Sequence, residues 1–164
     1  MNFTIEKMKA EDWVKVQTIY QEGIDNGNAT FETTVPEWEE WNRSHLRDCR
    51  LVARSGGQIL GWAALSPVSG RCAYRGVAEV SLYVKTSARR KGVGKTLLKA
   101  IIEQSEAAEI WTLQGCSFRE NTASLALQRK CGFRKVGYRE RIGQVNDAWK
   151  DVILMERRSK VAGV

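Results

Sequence analysis

Lys85, Arg89, Arg90, Lys91 and Lys95 fall within eleven positions that hold no acidic residue, and glycines interrupt the run at 92 and 94. Positive charge around glycine is the chemistry of phosphate binding, because a glycine lets an anion approach the backbone with no Cβ in the way. The segment Arg89-Arg90-Lys91-Gly92-Val93-Gly94-Lys95-Thr96 is nevertheless not a P-loop, whose spacing demands a glycine where Arg89 stands. It is not a dinucleotide fingerprint either, since Leu97 occupies the third glycine position. What remains is a glycine turn feeding a helix, whose unpaired N–H groups converge on one spot and suit a pyrophosphate.

Other chemistries are poorly supported. Cys49, Cys72, Cys116 and Cys131 include no C-x-x-C pair, and His45 is the one histidine, so no metal site is expected. His45 lies outside the motifs and reads as structural. The net charge of +7 asks for an anionic partner but does not select one. A basic nucleic-acid-binding module is the rival reading, yet no helix-turn-helix, RNP or zinc pattern accompanies the charge.

The elements that must position these residues follow from periodicity. Phe3 to Ile5 reads as a first strand, and Asp12 as the cap of a helix carrying Trp13, Val16, Ile19 and Tyr20. Pro36 opens a second helix with Trp38, Trp41 and His45 on one face. Ser55-Gly56-Gly57 between apolar runs predicts a hairpin, and Gly76 to Val84 alternates as a two-faced strand. Val93, Leu97, Leu98, Ile101 and Ile102 mark the crossover helix after the basic turn. Ile110 to Leu113 follows as a parallel strand, then a helix over 121–130, then a closing hairpin of Phe133–Tyr138 with Val145–Met155. The 164 residues, 43% of them apolar, suffice for a single domain with one sizeable core. Its last six or so residues read as a flexible tail. No apolar run approaches the ~20 residues of a membrane span, and Met1 to Lys7 lacks a signal-peptide plan, so a cytoplasmic protein without a membrane partner is expected.

The turn resembles the coenzyme A motif [QR]-x-x-G-x-[GA] of the GNAT superfamily of N-acetyltransferases, matched by Arg89, Gly92 and Gly94. Asn121-x-x-Ser124 through Lys130-x-Gly132-Phe133 is similar to the downstream signature of the same superfamily. Ala29 to Thr33, Tyr74 to Val84 and Trp149 to Val152 extend the likeness to its phosphinothricin and methionine sulfoximine acetyltransferases. The resemblance implies an α/β fold with a mixed, mostly antiparallel, twisted sheet of about six or seven strands, a splayed central parallel pair and helices on both faces. It implies acetyl-CoA as cosubstrate, a small amino acid or analogue as acceptor, and a homodimer without nucleic acid. Polyamines, aminoglycosides and protein N-termini remain as other acceptors.

Residue by residue, the resemblance assigns Glu79 as general base, taking the proton of an amine that is mostly ammonium at neutral pH. It gives Arg75 a clamp on the substrate's oxyanion, and places Phe31, Glu32 and Trp149 at the acceptor pocket. Leu82, Tyr83 and Val84 would meet the pantetheine arm through their backbone. Arg89, Arg90, Lys91, Gly92, Val93, Gly94, Lys95 and Thr96, with Asn121, Ser124 and Lys130, would hold the rest of the cofactor. Where superfamily members carry a tyrosine or histidine to protonate the departing thiolate, this chain has Gln128, whose amide is not an acid.

Overall fold

The computed structural model describes residues 1–164. In chain order its elements are β1 (Thr4–Lys7), α1 (Trp13–Asn26), α2 (Trp38–Ser44), β2 (Leu51–Ser55), β3 (Gln58–Pro67), β4 (Val77–Val84), α3 (Val93–Ala107), β5 (Thr112–Phe118), α4 (Thr122–Lys130), β6 (Arg134–Val145) and β7 (Ala148–Arg158). The strands form one seven-stranded sheet in the order β1-β2-β3-β4-β5-β7-β6. All neighbours are antiparallel except β4 and β5. The mixed, mostly antiparallel sheet expected from the resemblance is therefore present.

Each face of the sheet carries its own core. On one, α3 buries Val93, Leu97, Leu98, Ile101 and Ile102 with Leu51, Leu65 and Met155. Each such side chain contributes about 1.5–3 kcal/mol of apolar burial. On the other, α1 and α2 bury Trp13, Val16, Ile19 and Trp41 against Val52, Trp62 and Ala64. β3 runs between the two layers, which is why Ile59 to Leu65 are buried without alternation. No helix is long and apolar enough to cross a membrane.

Several boundaries differ from the sequence reading for local reasons. β5 begins two residues late and extends to Phe118: Ile110 N–H bonds back to Ser105 O at the end of α3, while Trp111 already bonds Gly76 O and accepts from Ser159 N–H just ahead of the strand. Of the closing strands, β6 is longer than read, running on to Val145, and β7 is displaced, starting at Ala148 and ending at Arg158; their register is irregular between Arg139 and Gly143. Asp12 does not cap α1 with its side chain; Oδ2 accepts from Lys9 N–H at 2.9 Å and Oδ1 from Arg54 at 2.9 Å. His45 is not on α2, which ends at Ser44. The segment read as a tail packs against the body: Arg158 donates to the carbonyls of Ser159, Ala162 and Gly163, and Ala162 is buried.

Candidate active site

β4 and β5 pair at only three positions, Val77 with Thr112, Ala78 with Leu113 and Glu79 with Gln114. Beyond Glu79 the strands part. Lys85 N–H bonds Leu60 O on β3, so the alternation of a strand turns the backbone groups of Val84, Leu82 and Val80 toward the gap. Tyr83, grouped with its neighbours in the sequence reading, has its backbone on the β3 side. Its ring instead stacks on Trp62 at 5.1 Å and Tyr20 at 5.0 Å.

The gap opens a cleft of about 1040 Å³. At one end lie Arg89, Arg90, Gly92, Val93, Gly94 and Lys95, and α4 with its cap lines the cleft through Asn121, Ser124 and Lys130. Gly92 caps α3 in the left-handed region at φ 84°, and a Cβ there would meet nothing within 4 Å. This is an open cradle whose backbone geometry selects glycine. Gly94 differs: a Cβ there would lie 3.3 Å from Leu127 and 3.5 Å from Val84, so Gly94 permits close helix–strand packing. Asn121 caps α4, its Oδ1 accepting from Ser124 N–H at 3.2 Å. Lys91 and Thr96 are not among the lining residues; Lys91 Nζ bonds Ser87 O and Thr96 Oγ1 bonds Gly92 O.

At the other end lie Tyr20, Phe31, Glu32, His45, Glu79, Ser81, Cys116 and Phe118. Glu79 Oε1 accepts from Gln114 Nε2 at 2.8 Å and from the Cys116 thiol at 3.3 Å, leaving Oε2 without a protein partner. Desolvation within the cleft, and then the Glu79 charge, push the Cys116 thiol up to about 12, so it stays protonated beside the carboxylate. Burial likewise pushes the Tyr20 phenol up to about 12, with the Glu32 charge adding to it. Phe31 packs edge-on against Phe118 at 4.7 Å.

Gln128 sits between the two ends. It is 7% exposed, and its amide nitrogen donates to Ser117 Oγ at 2.9 Å and Ser124 Oγ at 3.0 Å. Both amide hydrogens are thus committed. The buried Oε1 has no partner and lies over Gly115, where a Cβ would come within 2.2 Å.

Besides Lys91 and Thr96, two more sequence-assigned residues lie outside this lining. The Arg75 guanidinium rests over the Trp111 ring at 5.3 Å and bonds Cys72 O at 3.3 Å. Trp149, 51% exposed, stands on the β6–β7 hairpin beneath Arg141. Conversely, Tyr20, His45, Ser81, Cys116, Ser117 and Phe118 were not selected from sequence. The register of Gln114 opposite Glu79 is the signal that would have found Cys116, two residues along the same strand face.

Residues 13–133 match the Acetyltransferase (GNAT) family. The chain belongs to that family. A phosphinothricin N-acetyltransferase of Alcaligenes faecalis is 32% identical over 161 residues, covering 94% of this chain and 81% of the relative. An L-methionine sulfoximine/L-methionine sulfone acetyltransferase of Pseudomonas paraeruginosa is 29% identical, covering 95% and 94%. The structure of a GNAT superfamily phosphinothricin acetyltransferase from Sinorhizobium meliloti in complex with acetyl-CoA superposes with a TM-score of 0.88 at 28% identity, covering 99% and 91%. This GNAT chain fits acetyl-CoA by its own geometry as well. The Gly92 cradle is open where a pyrophosphate needs room, basic side chains surround it, and the strand edge and the orphaned Gln128 oxygen offer partners to an amide-bearing arm.

Proposed function

We propose that the chain transfers the acetyl group of acetyl-CoA to the amino group of a small amino acid or analogue of the phosphinothricin, methionine sulfoximine or methionine sulfone type. One observation carries this reading: a single cleft joins the Gly92 cradle to a carboxylate, Glu79, that stands where β4 and β5 part. An α-amino group with a pKa of about 7.7–8.0 or above is mostly ammonium at neutral pH and must lose a proton to attack. Glu79, oriented by Gln114 and Cys116 through one oxygen, presents the other to take it. The strand-edge groups of Leu82 and Val84 bind the pantetheine arm and polarise the thioester carbonyl, while Arg89, Arg90, Lys95 and the α3 N-terminus hold the pyrophosphate. The acetyl group passes directly to the amine, since the thiol nearest the base is held protonated and is a poor nucleophile. Phe31 and Glu32 line the acceptor end.

The same reading includes a homodimer. β6 is an edge strand, and Val136, Tyr138, Ile142 and Trp149 expose apolar surface on its hairpin, a patch that a second copy would cover. Arg75 and Trp149 keep their proposed substrate roles only if such an assembly brings them to a cleft. Light scattering at micromolar concentration distinguishes a monomer from a dimer directly. The cytoplasm, which supplies acetyl-CoA, is the proposed compartment.

The test is thiol release from acetyl-CoA with phosphinothricin, methionine sulfoximine, methionine sulfone, spermidine and an aminoglycoside. Release with one of the first three is expected. Release only with spermidine or the aminoglycoside would move the acceptor class, and release with none would overturn the reading.

A further inference from the structure

His45 follows α2 in an extended conformation, and its ring lies flat on Trp41, with centroids 4.2 Å apart and planes at 17°. Nδ1 is 2.8 Å from Trp41 O and 3.0 Å from Ser44 Oγ. A carbonyl oxygen can only accept, so the proton of the neutral ring sits on Nδ1. Nε2 then carries the lone pair, and no protein group bonds it. His45 is among the residues that line the cleft. The backbone agrees: Leu46 N–H bonds Leu65 O, and Leu65 and Ser66 on β3 stand opposite Val80 and Glu79 on β4.

The position is reinforced from behind. Arg50 is buried and donates to Leu46 O at 2.7 Å, Asn42 Oδ1 at 2.6 Å, Asn42 O at 3.0 Å and His45 O at 3.0 Å. Its guanidinium also lies 5.0 Å from the centre of the Trp41 ring. Burial, with the Arg50 charge also acting, holds the imidazole below its ordinary pKa, against the opposing pull of the Trp41 carbonyl. The ring is therefore neutral at pH 7 and its lone pair is available.

We propose that His45 Nε2 accepts a hydrogen bond from an N–H of the acceptor substrate, making His45 a substrate-binding residue of the acceptor end. The inference rests on the acetyltransferase reading above, which supplies an ammonium as the donor. Within that reading Glu79 removes the proton and His45 selects for a nitrogen-bearing ligand in the right orientation. The bond to the Trp41 carbonyl, which caps the end of α2, accounts for the tautomer; it leaves Nε2 as the ring nitrogen free to meet a ligand in the cleft that His45 lines.

His45 is the only histidine, so nitrogen-15 NMR of the histidine-labelled protein reports it without assignment. The free protein should show Nδ1 protonated and Nε2 bare, and saturating L-methionine sulfone with coenzyme A should move the Nε2 resonance toward hydrogen-bonded values. A bare Nδ1, or an Nε2 signal unmoved by the saturating ligand, would overturn the proposal. Kinetics gives a second view. His45→Phe keeps a flat ring on Trp41 but removes Nε2 together with the Nδ1 bond to the Trp41 carbonyl; it should raise the acceptor KM about tenfold, leave the acetyl-CoA KM unchanged, and be largely rescued by His45→Gln. Equal changes in both KM values, or no change in either, would reduce His45 to packing. Wild-type activity with an unmoved Nε2 sinks this proposal alone, whereas an absence of both turnover and amine binding sinks the acetyltransferase reading together with it.

Discussion

The two ends of the cleft are built differently. The cradle end comes from one short segment between Arg89 and Lys95, from which only Lys91 is missing, at the junction of a strand and a helix, and α4 with its cap lines the cleft from a second. The acceptor end draws single residues from α1, the loop after it, the exit of α2, β4 and β5. In the proposed function the first meets a ligand that presents the same pyrophosphate every time, for which a local backbone shape suffices, and the second meets a small amine and takes its shape from packing between distant segments. Changes at the acceptor end should therefore alter acceptor kinetics and leave acetyl-CoA alone, and changes at the cradle should do the reverse.

The sharpest way to break that division is Glu79→Gln. Turnover should fall roughly 10²–10⁴-fold, the usual cost of losing a general base, while acetyl-CoA still raises the Tm as it does for wild type. A mutant that lost the thermal shift as well would show that the two ends are coupled through β4.

Gly92→Val attacks the opposite end. A β-branched residue at φ 84° is strained and would fill the open cradle. Acetyl-CoA at a hundredfold excess over Kd should stabilise wild type by about 2.7 kcal/mol, and the mutant by almost nothing. A full thermal shift in a folded mutant would remove the cradle from cofactor binding.

Arg50→Met tests whether the acceptor end depends on a brace outside it. The substitution keeps an apolar side chain of similar reach but removes the guanidinium from over Trp41 and from the carbonyls of Asn42, His45 and Leu46, at a cost of about 3 kcal/mol. Calorimetry should record that loss, and the acceptor KM should rise while the acetyl-CoA KM holds. Gln128→Ala should do less to chemistry, tenfold in turnover or below, because both amide hydrogens already serve Ser117 and Ser124. A thousandfold fall would make Gln128 a partner of the leaving thiolate.

The same contrast explains what was legible in the sequence. The apolar stripe of α3, the hairpin at Gly56-Gly57 and the glycine turn are local patterns, and the structure places each where the pattern put it. Sheet order, the three-residue pairing of β4 with β5 and the burial of Trp62 are not local. Cys116 beside Glu79 depends on the register of two strands 37 residues apart. His45 looked like the end of an apolar helical face; its ring does stack on Trp41, but the chain leaves the helix after Ser44, and it is that exit which makes His45 a lining residue of the cleft. Gly94 was legible as a motif but not as a packing contact, because the side chains that approach it come from α4 and β4.

The smallest effect concerns protons, and it also divides the two ends. The cradle's charged side chains are lysines and arginines, with no imidazole among them. The acceptor end holds His45, the only imidazole, kept below its ordinary 6.5 mainly by burial and then by Arg50. Arg50 is the charged group that packs against it, and Glu32 and Glu79 share its cleft. A depressed pKa means that the unfolded chain binds this proton more tightly than the native one, so stability rises with pH across the window. The contribution is fully present above about pH 6.5 and drains as the pH falls toward the lower native value. Wild-type Tm should therefore decline between pH 7 and 5.5, ahead of carboxylate titration, while His45→Phe should hold level over that interval. Acceptor affinity should decline in the same window, because the protonated ring loses the lone pair at Nε2, and acetyl-CoA affinity should not. A wild-type Tm that climbed as the pH fell would mean that a carboxylate holds the ring protonated, which would reverse the hydrogen-bond direction assigned to Nε2.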